Sequence, residues 1–133
     1  MAATADVLNR LSEVIIGASI AVHRELGPGL LESAYEACLE YELRDRGVGV
    51  ERQRPLPVVY RSVVVEAGFR IDLLVNELVI VELKAVERLE KIHEAQIHTY
   101  LRLTGLHLGL LINFNVVRLT DGIKRIVRNF PQS

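Results

Sequence analysis

Apolar residues recur at Leu8, Leu11, Ile15, Ala18 and Val22 in the first part of the chain. Steps of three and four put them on one stripe, which predicts a helix over about 5–26. The "GPG" of residues 27–29 ends it, because Pro28 has no amide proton and the glycines accept backbone angles other residues avoid. A second helix is expected over about 30–46, with Gly47 as its stop. The period then changes. "VGVERQ", "LPVVYRS", "VVVEAGFRIDLLV" and "LVIVELKA" are rich in valine and isoleucine and bounded by turn-formers, which predicts strands. "VERLEKIHEAQIHTYLRLT" returns to helical spacing and stops at Gly105. "HLGLLINF", "VVRL" and "IKRIVRN" predict further strands, with "TDG" as a turn. No repeat, low-complexity tract or linker divides the order, so one domain over 1–133 is expected. Helices, a meander, a helix and more strands predict an α+β fold with a mixed sheet.

Within that order "GFRIDLLVNELVIVELKA", residues 68–85, breaks its own pattern. Two apolar runs meet at Asn76–Glu77, which predicts a hairpin, yet Asp72, Glu82 and Lys84 interrupt them. Side chains alternate faces along a strand, so the loop length decides whether these residues meet. A two-residue loop pairs Val75 with Leu78 and puts the carboxylates on opposite faces. A three-residue loop pairs Val75 with Val79 and sets Asp72 across from Glu82. In the second register Leu73, Val75, Val79, Val81 and Leu83 form one apolar face, and Asp72, Glu82 and Lys84 gather on the other.

Carboxylates so placed stand roughly 5 Å apart at their β-carbons and repel. Solvent with a neighbouring cation relieves them on a wet sheet face, with Lys84 as the partner. A divalent cation relieves them too, and oxygen ligands suit Mg²⁺ or Mn²⁺. In that case Lys84 reaches the same site and acts on an attacking water or on transition-state charge. The set is what phosphodiester hydrolysis requires.

Composition narrows the field. Half the residues are hydrophobic and a quarter charged, which predicts a folded chain with a real core. The net charge of −1 gives no bulk case for nucleic-acid binding, so any basic surface is local. Cys38 is the one cysteine, which excludes a disulfide framework and a cysteine-based zinc site and predicts a small buried hydrophobe on a helix. No apolar run has the length of a membrane span and no signal peptide is read at the start, so a cytoplasmic protein without a membrane partner is expected.

Asp72 followed by Glu82-x-Lys84 resembles the signature of the PD-(D/E)XK nuclease superfamily, with Gly68 as in its G-x-x-x-D variant. Gln96 and Tyr100 resemble the Q-x-x-x-Y helix motif of its exonuclease-like members. Gly29, Glu32 and Tyr35, in "GLLESAY", are similar to the motif that names the GxxExxY protein family. "ELGPGLLESAYE", "VIVELKAVE", "HEAQIHTYL" and "GLLINFN" resemble that family's blocks, over about residues 10–130. Ile71 stands where the superfamily often has proline.

The resemblance implies an α/β sandwich-like, restriction-endonuclease-like core, with a mixed sheet flanked by helices. It implies that Asp72, Glu82 and the carbonyl of Leu83 bind Mg²⁺ or Mn²⁺, with Glu32 reaching the ion directly or through water. Lys84 is then the catalytic lysine and Gln96 orients it, water or the substrate. Tyr100, one turn further along, supports the site or touches nucleic acid. The implied activity is hydrolysis of DNA, and less so RNA, by in-line attack of water at a divalent cation. The alternative is a catalytically silent module of the same fold that binds nucleic acid or a protein. A chain this small offers little surface to grip a duplex, which points to a homodimer or a larger protein partner.

Each residue also has an ordinary structural account. Glu32 suits a helix N-terminus, Gln96 a solvated helix face, and Tyr100 a core position with its hydroxyl satisfied. "HEAQIH" has one residue more than the zinc-protease pattern, and five helical residues rotate by roughly 500°, so His93 and His98 point apart. His23 and His107 are assigned structural roles, and no zinc is assigned. "IKRIVRN" reads as a solvated edge strand, whose charge protects the edge.

Overall fold

The computed structural model describes residues 3–132. Helix α1 spans Ala5–Leu26, started by the Thr4 side chain, which accepts a hydrogen bond from the Val7 amide at 3.2 Å. Helix α2 spans Glu32–Asp45. Strands β1 (Val50–Pro55), β2 (Val58–Tyr60), β3 (Val63–Val65), β4 (Arg70–Val75) and β5 (Val79–Lys84) follow. Then come α3 (Lys91–Thr104), β6 (Leu108–Asn113), a 3-10 turn (Leu119–Gly122) and β7 (Ile123–Val127).

Five strands form one sheet in the order β1-β4-β5-β6-β7. The β5–β6 pair is parallel and the others are antiparallel, so the sheet is mixed, as the alternation of patterns predicts. β6 is buried at every position, as expected of an inner strand beside a parallel neighbour. One sheet face packs Leu73, Val75, Val79, Val81, Leu83, Leu108, Leu110 and Ile112 against α1 and α2. The other packs Leu74, Ile80 and Leu111 against Ile97, Tyr100 and Leu101 of α3. The result is helices, sheet, helix: the α+β layering expected of a restriction-endonuclease-like core. Gly109 permits the close approach of α3, since a Cβ there would stand 2.6 Å from Ile97 Cγ2.

Three local expectations are corrected. α3 starts at Lys91 instead of about Val86, because Glu90 and His93 cap it: the His93 ring accepts from the Glu90 amide at 2.9 Å. "VVRL" is not a strand; the chain bends there and enters the 3-10 turn, leaving Val117 90% exposed and Leu119 buried. "TDG" lies in that turn. Cys38 is exposed, because α2 buries Tyr35, Glu36, Leu39 and Leu43 and residue 38 lies off that face. His23 and His107 are structural as expected: each ring bonds a backbone carbonyl, Val116 at 2.7 Å and Arg128 at 3.1 Å. β7 is an edge strand with Lys124 and Arg125 exposed. Among the described residues no helix is long and apolar enough to cross a membrane.

Candidate active site

The β4–β5 hairpin pairs Val75 with Val79, Leu74 with Ile80 and Leu73 with Val81. This is the three-residue register. Asn76 and Glu77 turn the chain at φ 51° and 58°, and the Leu78 amide donates to the Val75 carbonyl at 2.9 Å. The backbone ladder stops at Leu73. Beyond it the strands are joined by side chains: the Asp72 amide donates to Glu82 Oε2 at 2.8 Å, and the Leu83 amide donates to Asp72 Oδ2 at 2.9 Å. Each carboxylate therefore caps a backbone donor of the opposite strand, which is how a hairpin in the middle of the sheet accommodates two acids. Alternation also breaks here, because Ile71 joins Leu74 and Ile80 in the cluster under α3.

Glu82 is 3% exposed. Its burial, and then the negative charge of Asp72, push its carboxyl up to about 8, against the hydrogen bond from the Asp72 amide. Asp72 is also raised, first by burial and then by Glu36, against the Leu83 amide. The positive charge of Lys84 pulls both down. Lys84 is half-buried at the end of β5, opposite Asn113 of β6. Among the described residues its ammonium forms no ion pair within 4.0 Å, so the surface pairing with the carboxylates is not made.

A cleft of about 210 Å³ opens beside the pair, lined by Glu32, Ser33, Glu36, Gln53, Asp72 and Leu83. Glu32 is exposed at the start of α2, and its Oε2 accepts a long 3.4 Å bond from the Ala85 amide. Tyr35 fixes that approach. Fully buried, it donates to the Gly27 carbonyl at 2.6 Å, accepts from the Leu30 amide at 3.1 Å, and stacks on Phe114 at 4.6 Å. It thus clamps the loop in which Gly29 sits at φ 101°. On α3, Gln96 Nε2 donates to the Tyr100 hydroxyl at 3.0 Å, so the Q-x-x-x-Y residues pair with each other. Tyr100 is buried and its phenol is raised, first by burial and then by the charge of Glu82, so α3 lies within the field of the carboxylates.

Three residues of this region escaped the sequence reading. Glu36 is buried one turn after Glu32; its carboxylate accepts from Arg52 Nε at 2.8 Å and Gln53 Nε2 at 2.6 Å. Gln53 occupies φ 57°, between the β1 pairs Arg52↔Leu73 and Arg54↔Ile71, and also donates to Asp72 Oδ1 at 3.3 Å. Asn113 is buried and pins the exit of β5, accepting from the Val86 amide at 3.1 Å and donating to its carbonyl at 2.9 Å. The four-residue step from Glu32 to Glu36 was the available signal for the first. Gln53 and Asn113 carried none.

The donors fit a hard divalent cation. Glu82 Oε1 accepts no protein hydrogen bond, and no buried polar side-chain atom among the described residues lacks a partner, so this oxygen is not sealed away. Among the described residues Asp72 Oδ1 holds only the 3.3 Å contact with Gln53. These two carboxylate oxygens are donors of the kind Mg²⁺ and Mn²⁺ take, and Asp72 and Leu83 line the cleft. Among the described residues no group of three or more acidic, imidazole or thiolate side chains is placed to hold a metal ion.

The family model described as the PD-(D/E)XK nuclease superfamily matches residues 9–126. No curated protein and no solved structure matches the chain.

Proposed function

This chain belongs to the PD-(D/E)XK nuclease superfamily, and on that premise we propose that it hydrolyses phosphodiester bonds of DNA, and less readily RNA, as a single cytoplasmic domain of the GxxExxY type. The observation that carries the reading is the Asp72–Glu82 pair, locked by reciprocal bonds to opposite-strand amides, with Lys84 two residues further along β5 and free of any ion pair within 4.0 Å among the described residues.

Asp72, Glu82 and the Leu83 carbonyl would hold Mg²⁺ or Mn²⁺, and Glu32 would contribute through water. Bound there, the cation would supply charge neutralisation at the phosphate and a lowered pKa for water. The Lys84 ammonium donates to the attacking water or to the phosphoryl oxygen that gains charge. Gln96, tied to Tyr100, orients the lysine or the substrate backbone. Gln53, held by Glu36, donates to Asp72 Oδ1 from the wall of the same cleft and restrains its carboxylate.

The test is cleavage of single- and double-stranded DNA and RNA with Mg²⁺ or Mn²⁺. The expected result is slow cleavage, favoured by Mn²⁺ and stopped by EDTA. Asp72→Ala and Glu82→Ala abolish it together with cation binding. Lys84→Ala lowers it by about 10²–10³-fold while calorimetry still detects the cation. Gln96→Ala lowers it less. Wild-type protein that binds nucleic acid or a protein but cleaves nothing with either metal belongs to the silent-module alternative, which the net charge of −1 favours.

A further inference from the structure

The connection between β1 and β4 is an arm. β2 and β3 pair only with each other, through Val58↔Val65, Val59↔Val64 and Tyr60↔Val63. Every residue from Val59 to Arg70 is exposed, and Val59, Tyr60, Val63, Val64, Val65 and Phe69 show between 40% and 62% of their surface. A two-stranded hairpin by itself is marginal in water and gains independent stability from a third strand and an apolar face. Contiguous apolar surface of this kind on a soluble chain marks an interaction site.

The arm's chemistry selects the partner. Between Val58 and Phe69 it carries one cation, Arg61, and one carboxylate, Glu66. It therefore has no surplus positive charge for a phosphate backbone. Arg61 is already engaged over the Tyr60 ring at 5.4 Å. Of its two edges, β2 rises from Pro57, which has no amide proton to offer a neighbouring strand. The edge of β3 has no proline and no charge across Val63–Val65. Nothing blocks it from pairing with an identical strand.

We propose that the arm is a self-association surface, in which β3 pairs antiparallel with β3 of a second copy about a two-fold axis at Val64. A two-fold between antiparallel strands sets one residue opposite its own copy. Centring on Val64 is the register that pairs all of β3, with Val63 opposite Val65 of the partner subunit and Ser62 opposite the partner's Glu66. The two hairpins become one four-stranded sheet. Its face carries Val58, Tyr60, Val63 and Val65 from each copy in a continuous apolar row. This inference is independent of cleavage, because no residue of the carboxylate site takes part.

Sedimentation velocity of the whole chain from micromolar to submillimolar concentration tests it. Wild type is expected to shift from monomer to dimer. Val64→Glu and Val64→Lys each place like charges opposite one another at the axis and weaken the dimer roughly tenfold or more. An equal mixture of the two variants pairs opposite charges and re-forms the dimer. Val64 lies outside both core clusters, so each variant keeps its thermal midpoint at low concentration, which separates lost association from lost fold. A wild type that stays monomeric throughout, a dimer indifferent to both variants, or a mixture that does not re-associate overturns the proposal. So does a monomer whose Val64 variants lose affinity for labelled duplex DNA, which would make the arm a nucleic-acid contact.

Discussion

Two antiparallel hairpins of this chain have opposite fates. β4–β5 lies in the middle of the five-stranded sheet, covered on both faces, and buries Glu82 at 3% exposure. β2–β3 is almost wholly apolar and stands in solvent, with Val64 59% exposed. Both are valine-rich, and both turn through residues at positive φ, Asn76 and Glu77 in one and Arg61 in the other. Hydrophobicity alone therefore does not decide which strand enters the core. Position in the topology decides: β4 and β5 have a strand on either side and helices above and below, whereas β2 and β3 have only each other. The inner hairpin can hold two acids because opposite-strand amides meet their oxygens. The arm has no such cover among the described residues, and its valines stay exposed.

The largest expected contrast is in stability. Leu73 is fully buried in β4 against α1 and α2, and Leu73→Ala should cost about 2–5 kcal/mol through lost burial and a residual cavity. Val64→Ala in β3 should change the stability of the monomer by about 0.5 kcal/mol or less. Urea unfolding at low protein concentration measures both. Equal costs would mean the arm is part of the core and would break the comparison.

The same contrast explains what could be read from sequence. The register of β4–β5 was legible because one loop length puts Leu73, Val75, Val79, Val81 and Leu83 on one apolar face, and the structure adopts that register and that face; the break of alternation at Ile71 was not legible. The layering was legible from the order of periods. Exposure of the arm was not, since "LPVVYRS" and "LVIVELKA" are equally good strands by propensity. The start of α3 and the bend at "VVRL" carry particular bonds, the Glu90–His93 cap and the His23 ring on the Val116 carbonyl, which periodicity does not record. At the site, the carboxylates and Lys84 stood out because charge in an apolar strand is conspicuous. Glu36 on a helix and Gln53 in a polar strand are not, yet Gln53 bonds Asp72 and Glu36 holds Gln53.

A smaller effect follows from burying an acid in the inner hairpin. The Glu82 carboxyl, pushed from its ordinary 4.5 to about 8, holds a proton in the folded protein across a window in which the unfolded chain has released it. The folded state binds more protons there, so stability without a cation falls as pH rises from about 4.5 to about 8. The raised Asp72 acts in the same direction. A divalent cation requires the ionised pair and reverses the trend, so the gain in thermal midpoint with Mn²⁺ should grow with pH over this window. Glu82→Gln keeps an acceptor for the Asp72 amide without the charge. It should raise the metal-free midpoint at pH 8 by a few degrees and remove the response to Mn²⁺. Melts at pH 6 and pH 8, with and without the ion, decide this; a midpoint that rises with pH in the absence of metal would contradict the buried, protonated carboxyl.

The smallest effect concerns the clamp that holds the loop leading into α2 beside this hairpin. Tyr35→Phe keeps the stack on Phe114 and removes one oxygen. The Gly27 carbonyl then loses its 2.6 Å donor and the Leu30 amide its 3.1 Å acceptor. Two neutral hydrogen bonds of this kind contribute about 1–3 kcal/mol together, and the lower end is expected because the loop can turn both groups toward water. The loop carries Gly29 at φ 101° and delivers Glu32 to the cleft, so its loosening should also weaken Mn²⁺ binding slightly if Glu32 assists the ion. The arm lies elsewhere in the chain, and its self-association should be untouched. Calorimetry, urea unfolding and sedimentation on the one variant separate these results. A Tyr35→Phe protein that loses stability yet binds the ion as well as wild type would leave Tyr35 a purely structural clamp and remove Glu32 from the ligand set.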